Sequence, residues 1–176
     1  GVMLVALVVY VLTGGADFGG GVWDLFATGV RKDAQRKLIE RAIAPIWEAN
    51  HVWLILIIVL LFSGFPKAFS SISIALHVPL TVVLLGIVFR GAAFVFRQYG
   101  EGDNFTNRRW GNVFAVSSLI TPMFLGITLG TLSSNTLVLH EDVPQGGFLW
   151  PWMLNPLSAV VGVLTVSICA FLAAVY

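Results

Sequence analysis

Long apolar runs separated by short polar connections dominate this chain. Five of them, Gly1 to Ala27, Ile43 to Gly64, Ala68 to Phe96, Asn112 to Ser133 and Asn155 to Tyr176, are long enough to cross a bilayer, because about 20 mostly apolar residues span its core as a helix. The runs are apolar on all sides, whereas strands of a membrane barrel would alternate. Lipid offers the backbone no hydrogen bonds, so a spanning segment must be a helix or part of a closed barrel. The pattern predicts an all-α, polytopic membrane helix bundle with five transmembrane helices. Asp33 is placed to N-cap a short amphipathic helix through Ala44, with Leu38, Ile39, Ala42 and Ile43 as its apolar positions. Pro45 is then expected to kink the chain as it enters the second span.

Composition agrees. Hydrophobic residues make up 57% of the chain and charged residues 11%, and the mean hydropathy is +0.89. A soluble domain carries about a quarter charged residues, so this chain has too few to cover a water-facing surface. A net charge of +1 leaves no basic face for a nucleic acid. The single cysteine, Cys169, cannot form an internal disulfide and reads as a small buried hydrophobe. The chain opens at Gly1 directly in an apolar run, without the basic flank of a signal peptide, and closes inside another. It is therefore expected to be a piece of a longer protein.

The loop charges imply an orientation, since Lys and Arg favour the cytoplasmic side. Arg31, Lys32, Arg36, Lys37 and Arg41 follow the first span, and Arg97, Arg108 and Arg109 follow the third. The second connection holds only Lys67 and the fourth holds no Lys or Arg. The first and third loops are expected inside, with Gly1 facing outside. Trp23, Trp47, Trp110, Trp150 and Trp152 fall at span ends, as an interfacial aromatic belt would place them.

Ionisable groups inside a membrane are costly and mark functional candidates. Asp17, Glu48 and Arg90 lie inside the spans. Counting from inner edges at Trp23, Ile43 and Arg97 at ~1.5 Å per residue, they sit roughly 9, 8 and 10 Å deep. Three helices thus bring their charges to one depth. An ion pair or triad that locks the helices is one reading. The other is a proton-conducting acid pair in which Arg90 tunes which carboxylate holds the proton. Asn50 and His51 follow Glu48 on the same helix as possible supporting polar groups, and an isolated membrane histidine such as His51 also invites a haem-ligand reading. The cluster TGGADFGGG around Asp17 contains a Gly15–Gly19 pair at the spacing that lets helices touch. A phosphate-binding loop would need a preceding strand and a nearby basic residue, and has neither. His77 precedes Pro79, which can free a backbone carbonyl for it, and His140, Glu141 and Asp142 read as a solvated polar cluster. No metal site is expected.

With these residues in view, the chain resembles subunit II of the cytochrome bd-type quinol oxidases. The resemblance runs through GGADFGGGVWDL, AIAPIWEANHVWLI, FSGFP, FRGAAFVFR and LNPLSAVVGVLTVS, covering essentially the whole chain. It implies a subunit of about twice this length with two pseudo-symmetric four-helix bundles. Residues 1–133 would form the first bundle, 134–154 an outer loop, and 155–176 the first helix of the second bundle. The resemblance further implies that haem b and haem d sit on the partner, subunit I, which also oxidises the quinol, with none bound by this chain. Subunit II would contribute acids to a cytoplasmic proton path for the reduction of O2 to water. Asp17 matches the second acid of the family's DGFD-like motif and Glu48 the acid of its WDGN-like motif, here WEAN, whereas the first acid of DGFD falls at Gly14. The family places no haem ligand at His51. A bacterial or archaeal plasma membrane is the implied location. A non-catalytic scaffold subunit is the alternative, and an independent proton-coupled transporter would need more polar positions than these spans offer.

The charge asymmetry is testable in intact cells. Cysteines introduced at Lys37 and Asn107 should react only with reagents that reach the cytoplasm, and one at Gln145 only from outside. Labelling at Lys37 from outside would invert the orientation.

Overall fold

A computed structural model describes the backbone of residues 1–99, 104–134, 138–140, 143–145 and 155–176. It describes their side chains except at 33, 44, 47, 48, 98, 99, 104–108, 138–140 and 143–145. Among the described residues six helices follow in chain order: α1 (Val2–Phe26), α2 (Lys32–Gly64), α3 (Pro66–Ala75), α4 (His77–Tyr99), α5 (Asn104–Ser133) and α6 (Pro156–Val175). Between α5 and α6, β1 (Val138–His140) pairs antiparallel with β2 (Val143–Gln145), so the expected outer loop contains a small hairpin. Helices α1, α4, α5 and α6 are each long and apolar enough to cross a bilayer, and the 49–64 part of α2 joins α3 through a bend of 114° to make the fifth such unit. The all-α polytopic bundle is therefore what the chain forms.

Two boundaries differ from expectation. The run from Ala68 to Phe96 is not one helix. It breaks at Leu76, between α3 and α4. Pro79 explains the break: its ring would meet the carbonyl four residues earlier, at Ala75, and it has no N–H to donate there. Pro66 occupies the first turn of α3, where proline is tolerated. Secondly, α2 runs continuously from Lys32 with Arg31 as its N-cap, not from Asp33, and Pro45 lies inside it without ending it. The carbonyl that Pro45 leaves unbonded belongs to the exposed Arg41, where solvent can satisfy it. Gly29, at φ +80°, turns the chain between α1 and α2 in a conformation that favours glycine.

The bundle is apolar outside and polar within. Val5, Val8, Leu12, Ile55, Phe62, Leu84, Val88, Val163 and Phe171 are exposed, whereas Asp17, Asp24, Asn50, Arg90, Ser118, Thr121, Thr131 and Ser158 are buried. Lipid as solvent favours this arrangement, because it replaces no hydrogen bond a polar group loses. Helix α1 packs against α2, α5 and α6, and α5 against α4 and α6, but among the described residues no α-carbon of α1 comes within 8 Å of one in α4.

Glycines set these approaches. An added methyl at Gly19 would run into the Cys169 carbonyl and Ala173 on α6, one at Gly15 into Leu172, and one at Gly20 into Ile43 on α2. The Gly15–Gly19 face thus meets α6. A second small-residue contact, absent from the sequence reading, joins Gly126 and Gly130 of α5 to Gly162 and Ser158 of α6. It is reinforced by a Thr131–Ser158 hydroxyl bond of 2.9 Å.

Gly19→Leu should therefore strip most assembled protein from the membrane. Gly64→Ala, where an added methyl meets nothing within 4 Å, should assemble normally. Yields of assembled complex decide it, and a normal yield for Gly19→Leu would mean that α1 and α6 do not need their contact.

Candidate functional site: two buried Asp–Arg rungs

Asp17 on α1 is fully buried and Arg90 on α4 is 2% exposed. The Arg90 Nη1 donates to Asp17 Oδ2 at 2.7 Å, and Nη2 donates to Oδ1 at 2.5 Å and to the Asp17 carbonyl at 2.9 Å. Its Nε donates to Ser118 Oγ on α5 at 2.9 Å, and that hydroxyl donates to the Phe114 carbonyl. Such a forked pair is the strongest form of this contact. The Phe18 and Phe114 rings lie 4.8 and 4.9 Å from the guanidinium carbon, so the cation is also flanked by aromatic faces. Gly21 explains how Ser118 reaches the pair, since any side chain at Gly21 would occupy the place of the Ser118 hydroxyl. From α2, Asn50 Nδ2 donates to Asp17 Oδ2 at 3.4 Å.

A second rung repeats the first. Asp24, also fully buried, accepts from Arg97 Nη1 and Nη2 at 3.2 and 3.3 Å. Arg36 Nε lies 3.5 Å from Asp24 Oδ1, and Glu40 is 3.9 Å from Arg97. Arg36 and Arg97 are each 14% exposed and Glu40 26%, so this rung opens toward solvent while the first does not. Both pairs join residues 73 apart. The acids and the arginines therefore each recur after seven residues, about 10.5 Å along parallel helices. Sequence reasoning missed Asp24, because an inner edge at Trp23 leaves it just outside the span. The matching sevenfold spacing of Asp17/Asp24 and Arg90/Arg97 was the available signal.

The structure thus brings Asp17, Arg90 and Asn50 together. Glu48 lies on α2 two residues before Asn50, and its side chain is outside the described residues, as are the side chains of Trp47 and His140 and all of Glu141, Asp142, Trp150 and Trp152. His51 lines a cavity of about 10 Å³ with Tyr10, Phe18, Asn50, Leu54, Ile87 and Arg90. That is room for about one water. His77 Nδ1 lies 3.0 Å from the Ile74 carbonyl. Among the described residues no three His, Cys, Asp or Glu gather where they could hold a metal ion. The arrangement holds one charge pair out of water and a second, seven residues further along each helix, at a partly exposed end.

The family profile described as cytochrome bd terminal oxidase subunit II matches residues 1–176. Subunit 2 of the cytochrome bd-I ubiquinol oxidase of Escherichia coli (strain K12) is 27% identical over 98% of this chain and 45% of that subunit. Subunit 2 of the cytochrome bd ubiquinol oxidase of Bacillus subtilis (strain 168) is 34% identical over 67% of this chain and 34% of its own length. The solved bd oxidase of Geobacillus thermodenitrificans superposes with a TM-score of 0.80 and 25% identity, over 99% of this chain and 52% of that one. The chain spans about half the length, or less, of the relatives it matches.

Arg90→Met should cost about 3–5 kcal/mol, because it leaves a buried carboxylate unpaired. The double variant Asp17→Asn/Arg90→Met should recover more than half of that loss. Thermal unfolding of the purified membrane complex measures both, and equal destabilisation of the single and double variants would show that the pair is not coupled.

Proposed function

The chain belongs to the cytochrome bd terminal oxidase subunit II family, and from that premise we propose that it supplies acids to a cytoplasmic proton route in a quinol-oxidising, oxygen-reducing complex. In this reading it sits in a bacterial or archaeal plasma membrane with Gly1 outside and pairs with subunit I. The b- and d-type haems are carried by that partner and supply electron transfer and oxygen chemistry. Quinol and O2 reach the complex through the partner. This chain holds charge and moves protons.

The observation that carries the reading is the series of ionisable side chains from the partly exposed Arg36, Arg97 and Glu40, through buried Asp24, to buried Asp17. A structural clamp alone needs one such pair, whereas a route needs groups at more than one depth. Both carboxylate oxygens of Asp17 accept from Arg90, so in this reading the arginine holds Asp17 in place and Glu48 is the group that gains and loses a proton. A proton carrier has to do both near the working pH. The scaffold reading draws on the same completeness of the Asp17–Arg90 contact, which suits a lock between helices.

Glu48 separates the two. Glu48→Asp keeps a carboxyl displaced by roughly one C–C bond, ~1.5 Å, and should retain part of the activity. Glu48→Gln keeps size and polarity but cannot shuttle a proton, and should lose about 10²-fold, the low end of what a positioned proton-transfer group contributes. Quinol-driven oxygen uptake, normalised to haem content and repeated across pH, is the measurement. Unchanged uptake for Glu48→Gln at every pH, or loss of assembly instead of turnover, would favour the scaffold.

A further inference from the structure

Two polar atoms beside the Asp17–Arg90 pair have no hydrogen-bond partner among the described residues: the Tyr10 hydroxyl on α1 and Asn50 Oδ1 on α2. Buried polar groups are very rarely left so, and a specific exception calls for an explanation. Both residues line the cavity that His51 borders, and Arg90 lines it from α4. The cavity holds about 10 Å³, at the lower edge of the ~10–15 Å³ that a cavity needs to hold one water. Arg90 makes four hydrogen bonds to Asp17 and Ser118, and a guanidinium carries five N–H groups, which leaves one Nη1 hydrogen. A hydroxyl, an amide oxygen and a guanidinium hydrogen are three partners, the usual number for a buried water.

We propose that Tyr10, Asn50 and Arg90 bind one water molecule in this cavity, and that Tyr10 uses it to extend the polar column of α1 beyond Asp17. Tyr10, Asp17 and Asp24 recur every seven residues, so they lie along one face at intervals of about 10.5 Å. Tyr10 Oη makes no bond to Asp17 across that interval. Asn50 divides it: its Nδ2 faces the Asp17 carboxylate, and its Oδ1 is left for the water. Gly14, between the two on α1, makes the room. A Cβ there would lie 2.8 Å from Asn50 Oδ1 and push the amide away. Tyr10 drew no notice in the sequence because an aromatic in an apolar run is ordinarily a packing residue.

The functional part of this proposal rests on the proton-route reading. A water with a hydroxyl on one side and a charged pair on the other can take up one proton as it releases another. The site then ends each transfer with the same atoms and charge. Tyr10 is a positioning residue in that scheme, acting through the water it orients.

The test uses the full-length complex, solved at a resolution that shows ordered waters, for the unmodified protein and for Tyr10→Phe. Density for one water within hydrogen-bonding distance of Tyr10 Oη and Asn50 Oδ1 is expected in the first and not in the second. Oxygen uptake per haem should fall several-fold in Tyr10→Phe, with a larger solvent deuterium isotope effect and unchanged haem content. Asn50→Leu should also lose the density, which guards against an effect peculiar to the ring. Absence of the water from the unmodified complex overturns the site. A lost water with unchanged uptake and isotope effect, while Glu48→Gln is slow, overturns the role of Tyr10 and leaves the proton route standing. If Glu48→Gln is not slow either, the route fails, and the density alone decides the water site.

Discussion

A carboxylate or guanidinium alone at the centre of a spanning helix costs about 2.5–3.5 kcal/mol even on lenient insertion scales, so Asp17 and Arg90 have to find each other. Much of the surrounding structure serves that contact. Gly21 removes a side chain so that Ser118 can accept from Arg90 Nε. Phe18 and Phe114 flank the cation, and Asn50 reaches the carboxylate from α2. Four helices are tied to one charge pair, and the glycines of α1 keep them near enough to hold it.

The second rung gives the pair a direction. Arg97 lies 5.7 Å from the same Phe114 ring that covers Arg90, so one aromatic side chain stands between a fully buried pair and a partly exposed one. Among the described residues no α-carbons of the two helices that carry the rungs come within 8 Å of each other, and the rungs' side chains bridge them. They stand apart at arginine length, and α5 fills one side of the gap while Asn50 of α2 reaches into it. Polar cavities in a membrane bundle are found where irregular or charged groups line an interior surface, and the space beside Tyr10 and Asn50 is of that kind.

The five apolar runs were legible because lipid imposes a length and a composition on anything that crosses it. The shared depth of Asp17 and Arg90 was legible too, by counting 1.5 Å per residue from plausible edges. Hydropathy could not show the break at Leu76, because Pro79 acts through its ring and its missing N–H, not through polarity. Asp24 escaped because its burial depends on Arg97 and Arg36 being drawn in with it, which a span boundary at Trp23 does not anticipate. The Gly126–Gly130 contact looks no different from other glycines until α6 is known to lie across it. The Gly15–Gly19 pair was readable because its spacing falls beside a charge that has to be packed.

The separation of 73 residues between each acid and its arginine bears on how the protein is made. Synthesis at ~5–20 residues per second brings Arg90 out roughly 4–15 s after Asp17. Helix α1 therefore enters the membrane with two acids and no counter-charge of its own, followed first by α2, which brings Arg36 to Asp24 and Asn50 to Asp17. In the order of emergence α2, which carries a partner for each carboxylate, precedes α4, which carries the arginines.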